Sequence, residues 1–174
     1  GPDMIREYAQ TAQDLGYTHL VIQDHVLGVD PAVHVGWTRP YTNKTLTPDP
    51  FVQSAFLSSA VPGMELVTGV VVLTQRQTVL VAKQAAEVDI LTGGNFRLGV
   101  GLGWNRVEYD ALGEDFTNRG VRSEEQVELA KGAALDAGLD DVTFRTGDVY
   151  ELPFEESTFI SYSATPYWSI SPTR

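Results

Sequence analysis

The stretch that decides the fold covers residues 65–113 and reads ELVTGVVVLTQRQTVLVAKQAAEVDILTGGNFRLGVGLGWNRVEYDALG. Its β-branched apolar run at residues 65–73 and its second apolar run at residues 96–102 are typical of strands that are buried on both faces. Residues 78–91 between them have helical spacing, and two glycines then end the helix. A strand, a helix and a second strand in this order predict parallel strands joined by a right-handed crossover.

The same alternation continues outward from this stretch. Upstream, the pattern predicts a helix at residues 3–15, a strand at 19–25, a long loop at 29–48 and a helix from Asp49 to about residue 60. Downstream, Ser123 with Gln126 three residues later predicts a further helix start. The order α-β-α-β-α-β-α fits both a flavodoxin-like open sheet and a (β/α)8 barrel, and periodicity does not choose between them.

Composition narrows the class of protein. The 174 residues suffice for one domain, whereas a complete (β/α)8 barrel takes about 250. A net charge of -11 disfavours nucleic-acid binding, and the absence of cysteine excludes disulfides and thiolate metal sites. No apolar run reaches the length of a membrane span, and no signal peptide is visible, so we expect a cytoplasmic protein that binds no membrane. His19 and His34 lack metal-ligand spacing with His25, so no metal site is predicted.

Four segments within residues 3–128 resemble the luciferase-like monooxygenase superfamily, and most of all its deazaflavin-dependent oxidoreductases. They are AQDLGYTHLVIQDHVLG, LTPDPFVQSAFLSSAV, the stretch quoted above and FTNRGVRSEEQVEL. The resemblance implies a (β/α)8 barrel with its ligand at the C-terminal ends of the strands. It also implies an α/β partial barrel that lacks the first strand and the C-terminal half.

The resemblance further implies a set of site residues. His25 would lie by the reactive ring of the cofactor and stabilise charge or move a proton during hydride transfer, work that suits an imidazole. In relatives the strand end matching Val71 and Val72 carries a bulge, often with a non-proline cis peptide. Alternate glycines would let a planar cofactor approach the backbone. The predicted cofactor-binding residues are Asp24, Val71, Val72, Thr74, Gly101, Gly103, Trp104 and Asn105.

Trp104 stands where some relatives carry a glutamate proton donor, so sugar-phosphate dehydrogenase chemistry is not implied. The implied cofactor is the deazaflavin coenzyme F420, with FMN as the alternative. The implied reaction passes a hydride between the cofactor and a small organic substrate. The alternatives are an FMN-dependent monooxygenase and a non-catalytic half barrel that associates with a second copy of itself, since a homodimer would cover unpaired edges.

The chain changes character after about residue 130. Residues 133–159 resemble the middle of a class I S-adenosylmethionine-dependent methyltransferase, although the glycine-rich cofactor loop is absent. We therefore expect three regions: a partial barrel over 1–128, a methyltransferase-like fragment over 129–159, and a weakly ordered tail over 160–174, with a junction near residues 127–130. A methyltransferase fragment is thus a further alternative. An incomplete barrel predicts low activity and weak cofactor binding.

Overall fold

The computed structural model describes residues 1–136, 142–147 and 167–172, with side chains through residue 130. Within these ranges the helices are α1 (Pro2–Asp14), α2 (Pro50–Ser58), α3 (Thr78–Thr92), α4 (Arg106–Leu112) and α5 (Arg119–Asp136). The strands are β1 (His19–Ile22), β2 (Glu65–Thr68), β3 (Val71–Val72), β4 (Phe96–Gly101), β5 (Val142–Gly147) and β6 (Tyr167–Pro172).

The described strands form one sheet in the order β1-β2-β4-β6-β5, with β3 also paired to β4. Strands β1, β2 and β4 are parallel to one another, in a register that places Val21 beside Val67 and Val67 beside Arg97. Strand β3 is likewise parallel to β4. The predicted parallel arrangement of these segments is confirmed. Strand β6 instead lies antiparallel to β4, and β5 antiparallel to β6.

The predicted single strand at residues 65–73 is wrong in one respect, because the chain makes two strands there. Strand β2 ends at Thr68, a cis peptide bond joins Gly69 to Val70, and β3 is followed by a 3-10 turn at Leu73–Gln75. At the break, the Thr68 hydroxyl donates to the Gly99 carbonyl (2.8 Å) and accepts from the Gly99 amide (2.9 Å). A side chain thus connects the strands where main-chain pairing of β2 with β4 stops.

Two helix predictions differ from the structure. Helix α4 was not predicted, although Asn105 caps its start and Gly113 ends it in the left-handed conformation, at φ 72°. Helix α5 begins at Arg119 rather than at Ser123, which is buried inside the helix and does not cap it. The helix is continuous across residues 127–130, where a junction between two regions was expected.

The expected regions beyond residue 128 are only partly within the described residues. The strand predicted in residues 142–148 forms as β5. Residues 167–172 of the expected weakly ordered tail form β6, and the remainder of the tail lies outside the described residues. The three-region division of the chain stays a prediction.

The core lies between the sheet and helices α2 and α3. Most of its buried members come from the strands and from the inner faces of these helices, including Phe51, Leu57, Leu66, Val71, Val81, Val88, Leu98 and Val100. Asp49 caps α2 by accepting from the amides of Phe51 and Val52, both at 3.0 Å. Among the described strands β1 pairs with β2 alone. No helix in the described ranges is long and apolar enough to cross a membrane.

Candidate functional site

The C-terminal ends of β1, β3 and β4 meet at one edge of the sheet because the three strands are parallel. Asp24 and His25 follow β1, Val72 ends β3, and Gly101 ends β4. Trp104 and Asn105 lie three and four residues after the end of β4. The fold therefore brings most of the predicted site residues to one edge, which is where α/β proteins with parallel strands place their ligands.

His25 is oriented by a buried carboxylate. Its Nδ1 lies 2.7 Å from Oε1 of Glu108, whose side chain is 2 % exposed. Glu108 also accepts from the side-chain amides of Asn105 (3.0 Å) and Gln75 (3.3 Å). An ionised carboxylate only accepts hydrogen bonds, so this contact places the proton of a neutral imidazole on Nδ1 and leaves the Nε2 lone pair free.

Four rings form an aromatic cluster, His25, Trp37, Tyr41 and Trp104, at this edge. Tyr41 stacks on His25 with ring centroids 3.9 Å apart, and Trp104 lies edge-on to His25 at 5.9 Å. Trp37 is nearly parallel to Trp104, at 5.9 Å and 22°. The Arg39 guanidinium carbon lies 5.0 Å from the Trp104 ring centroid. One imidazole therefore lies among three larger aromatic rings, with a guanidinium beside one of them.

The loop that carries Trp37 and Tyr41 is closed at its base. The Val29 amide donates to the Tyr41 carbonyl (3.0 Å), and the Asn43 amide donates to the Val29 carbonyl (2.9 Å). Tyr41 adopts a positive φ of 65°, and its hydroxyl donates to Oε1 of Gln23 at 2.7 Å. The predicted long loop therefore has its two ends joined by hydrogen bonds, and its C-terminal part places the Tyr41 ring on His25.

Asp24 is engaged by protein groups on both carboxylate oxygens. It accepts from Nε (2.9 Å) and Nη2 (2.7 Å) of Arg76 and from the amide of Val72 (3.2 Å). Arg76 also binds Asp49 at 2.9 Å. Burial works to lower the pKa of Arg76, but its hydrogen bonds and charge contacts with Asp24 and Asp49 outweigh burial and raise the pKa. Asp24 thus fixes the ends of β1 and β3 relative to each other, and its predicted contact with a cofactor stays a prediction.

Val71, Val72 and Thr74 are buried. Tyr109 donates its hydroxyl proton to the Leu102 carbonyl and receives the hydroxyl proton of Thr74, with both oxygen–oxygen distances at 2.5 Å. Burial raises the pKa of Tyr109, while the Thr74 hydrogen bond and two nearby arginines lower it less strongly. The Thr74 side chain therefore joins the turn after β3 to helix α4, and its role toward a cofactor stays a prediction.

The glycines of β4 and the segment after it have a packing explanation. A Cβ on Gly99 would lie 2.2 Å from the Thr68 carbonyl oxygen. A Cβ on Gly103, where φ is 65°, would lie 2.8 Å from a methyl carbon of Val72. Both positions need glycine because a neighbouring strand approaches closely. Gly101 is buried beside Val72 in the β3–β4 register, and the cofactor contacts predicted for Gly101 and Gly103 stay predictions.

Sequence reasoning made Glu108 only a weak polar candidate for the site and did not single out Gln75, Tyr41 or Arg76. A signal for Glu108 existed, since Asn105 and Gly113 are the cap residues of a short helix that carries it. The predicted cis peptide lies between Gly69 and Val70, just before the two valines for which it was expected. Among the described residues, no group of histidine and carboxylate side chains is placed to hold a metal ion.

Comparison with known proteins gives a consistent result. The family model of luciferase-like monooxygenases matches residues 1–168. An uncharacterized protein of Mycobacterium tuberculosis is 28% identical over 155 residues, which are 86% of this chain and 52% of that protein. The FMNH2-dependent dimethylsulfone monooxygenase of Pseudomonas fluorescens is 37% identical over 90 residues, which are 52% of this chain and 22% of that protein.

Among solved structures, the oxygenating constituent of 3,6-diketocamphane monooxygenase from Pseudomonas putida, in complex with FMN, matches with a TM-score of 0.61 at 14% identity. The match covers 89% of this chain and 39% of that one and shows the fold alone. Of the two folds that the sequence pattern left open, this match supports the (β/α)8 barrel and not the flavodoxin-like open sheet. The chain spans about half the length of the Mycobacterium protein that it matches.

The family match also covers the segment after residue 130. The resemblance of residues 133–159 to methyltransferases is not supported, because the luciferase-like model extends through residue 168. The fold, the strand ends and the family model agree with one another. The chain belongs to the luciferase-like monooxygenase family, and its described residues form part of the family's barrel.

Proposed function

We propose that this chain supplies the N-terminal part of the active site of a flavin-dependent monooxygenase that acts on a small organic molecule. The observation that supports the proposal most directly is the His25–Glu108 pair at the C-terminal ends of the parallel strands. A buried carboxylate that holds one imidazole nitrogen leaves the other nitrogen able to move a proton at the reacting centre.

FMN is the cofactor that we propose. The aromatic cluster suits a flat ring, because its side chains bring aromatic faces to the edge where the parallel strands end. Support also comes from the dimethylsulfone monooxygenase, which is named as FMNH2-dependent, and from the FMN complex of the Pseudomonas putida enzyme.

When bound, reduced FMN supplies the two electrons that oxygen activation requires. His25 would exchange a proton through Nε2, and Glu108 would keep that nitrogen unprotonated in the neutral ring. Tyr41 covers one face of the imidazole and so limits its contact with water. Coenzyme F420 with hydride transfer is the second candidate, since the same ring surface suits a deazaflavin.

Titration of the chain with each cofactor tests the proposal. Binding of FMN next to tryptophans would quench flavin fluorescence, and we expect saturable quenching with weak affinity, because the chain spans only part of its relatives' length. His25→Gln should alter the pH dependence of flavin reoxidation, while His34→Gln, a change in the exposed loop, should not.

Absence of saturable quenching with FMN, together with saturable binding of F420, would overturn the choice of cofactor. Binding of neither cofactor would contradict a site in this part of the chain. Tight, stoichiometric binding of FMN would instead show that residues beyond this part of the family barrel are not needed to hold it.

A further inference from the structure

Arg39 differs from the other arginines whose side chains the structure describes. Most of those form ion pairs with carboxylates, as Arg6 does with Asp3 and Arg97 with Glu65. Arg119 donates to the Phe116 carbonyl. Within the described residues Arg39 has neither an ion pair nor a hydrogen bond, and its one recorded contact is the face of Trp104. A cation is therefore held beside the candidate site with its N–H groups open.

A second donor lies on the same loop, two residues earlier. The Nε1 atom of Trp37 is buried and has no partner in the described part of the chain, a costly state for an N–H group that is shielded from water. The Trp37 ring lies beside Trp104, the ring that also carries the Arg39 guanidinium. Both donors therefore belong to side chains that contact the same indole, whose ring centroid lies 5.9 Å from that of His25.

We propose that Arg39 and the Trp37 indole N–H bind the carboxylate of a small aromatic acid whose ring packs against the aromatic cluster. This inference rests on the proposed function, since it names the class of substrate that His25 would face. A guanidinium stacked on an aromatic face keeps its planar edge free, and that edge matches a carboxylate in a two-point contact.

The charge of the chain makes this local cation consequential. With a net charge of -11, the protein repels anions in general, so an anionic substrate needs a positively charged point of entry near the site. Arg39 is exposed and lies on the loop whose two ends the Val29–Tyr41 hydrogen bond joins. Its position suits the capture of an anion from solvent followed by contact with the aromatic cluster.

Isothermal titration of the chain with benzoate, and with benzamide as the uncharged analogue, tests the inference. We expect benzoate to bind more tightly than benzamide and Arg39→Gln to weaken benzoate about fivefold, as for an exposed ion pair. Arg106→Gln is the matched control, because Arg106 is 67 % exposed, its carboxylate contact is long at 3.7 Å, and its loss changes the net charge equally. Trp37→Phe should weaken benzoate while keeping an aromatic ring beside Trp104.

Equal binding of benzoate and benzamide would overturn the inference, as would equal weakening by Arg39→Gln and Arg106→Gln. The phosphate of FMN is the other oxyanion that could reach Arg39, and riboflavin, which lacks it, separates the two. If Arg39→Gln weakens FMN but not riboflavin, the cation serves the cofactor and the substrate assignment is wrong. If the chain binds benzoate but does not bind FMN, the proposed function is contradicted and the proposed anion site is still supported.

Discussion

His25 is constrained on three sides by Glu108, Tyr41 and Trp104, so its remaining polar atom is Nε2. We expect neutral His25 to carry its proton on Nδ1, which ¹⁵N NMR of the imidazole nitrogens reports directly. Glu108→Gln introduces an amide that can donate as well as accept, so the Nε2-protonated form should gain population. His34, in the exposed loop, serves as the internal control. A wild-type His25 protonated on Nε2 would contradict the proposed orientation.

Gly103 shows how a single missing Cβ shapes the site. We expect Gly103→Ala to lower the free energy of unfolding by about 1–3 kcal/mol, since alanine strains the positive φ and overlaps Val72. Gly113→Ala is the matched control, because Gly113 has a similar φ of 72° but open space around it. Urea denaturation should show the larger loss for Gly103→Ala. Equal losses would mean that the contact with Val72 is not limiting.

At the scale of elements, Arg76 joins the end of β1 to the start of α2 through Asp24 and Asp49. Arg76→Met would leave the buried carboxylate of Asp24 without its cation, and we expect a loss of about 3–5 kcal/mol in the free energy of unfolding. Asp49→Asn should cost much less, because asparagine also caps helices and Asp49 is partly exposed. Chemical denaturation of both variants, with Arg76→Lys as an intermediate, measures the difference.

Helix α4 is tied to the segment after β4 and the turn after β3 through the Tyr109 hydroxyl. Because burial raises the folded-state pKa of Tyr109, folding favours its neutral form. This contribution to stability is present below the unfolded pKa of about 10 and is lost as pH rises through the folded value. We expect Tyr109→Phe to remove part of the decline in unfolding free energy above pH 10. An unchanged alkaline slope would show that other groups control it.

The elements differ in how far sequence could predict them. The runs at β2 and β4, and the helix between them, follow from local apolar periodicity and glycine stops, so their existence and parallel order were predictable. Local periodicity did not show the break at Gly69, since apolar residues stand on both sides of it, and only the family resemblance implied a bulge with a cis peptide near this strand end. The packing of Tyr41 on His25 and the reach of Arg76 to Asp24 depend on contacts across 16 and 52 residues, which no local pattern encodes.

At the scale of the whole molecule, the outer side of α3 is unusually apolar for an exposed helix. Leu80 is 61% and Ile90 73% exposed, and their neighbours Val79 and Leu91 are exposed as well. We expect concentration-dependent self-association, consistent with the homodimer that sequence suggested, because exposed apolar surface of this kind favours burial. Light scattering should show that Leu80→Glu with Ile90→Glu lowers the associated fraction.

Ala111→Glu with Asn118→Glu is the control for charge alone, since both positions are exposed and lie outside α3, one in α4 and the other in the turn before α5. If this pair lowers association as much as the α3 pair does, net repulsion rather than the apolar surface of α3 governs the assembly. A strictly monomeric wild-type chain at every concentration would contradict the expectation altogether.

The two hydrogen bonds between Thr68 and Gly99 have a wider consequence for how this sheet tolerates mutation. The Thr68 hydroxyl replaces a peptide group there, because it supplies both a hydrogen-bond donor and an acceptor to β4 at the point where β2 ends. Serine could replace it, whereas valine, identical in outline, would leave an amide and a carbonyl in the interior with nothing to bind. The volume of the side chain would be preserved, but both hydrogen bonds between Thr68 and β4 would be lost. Hydrogen-bonding capacity rather than side-chain volume therefore governs which residues are acceptable at this position.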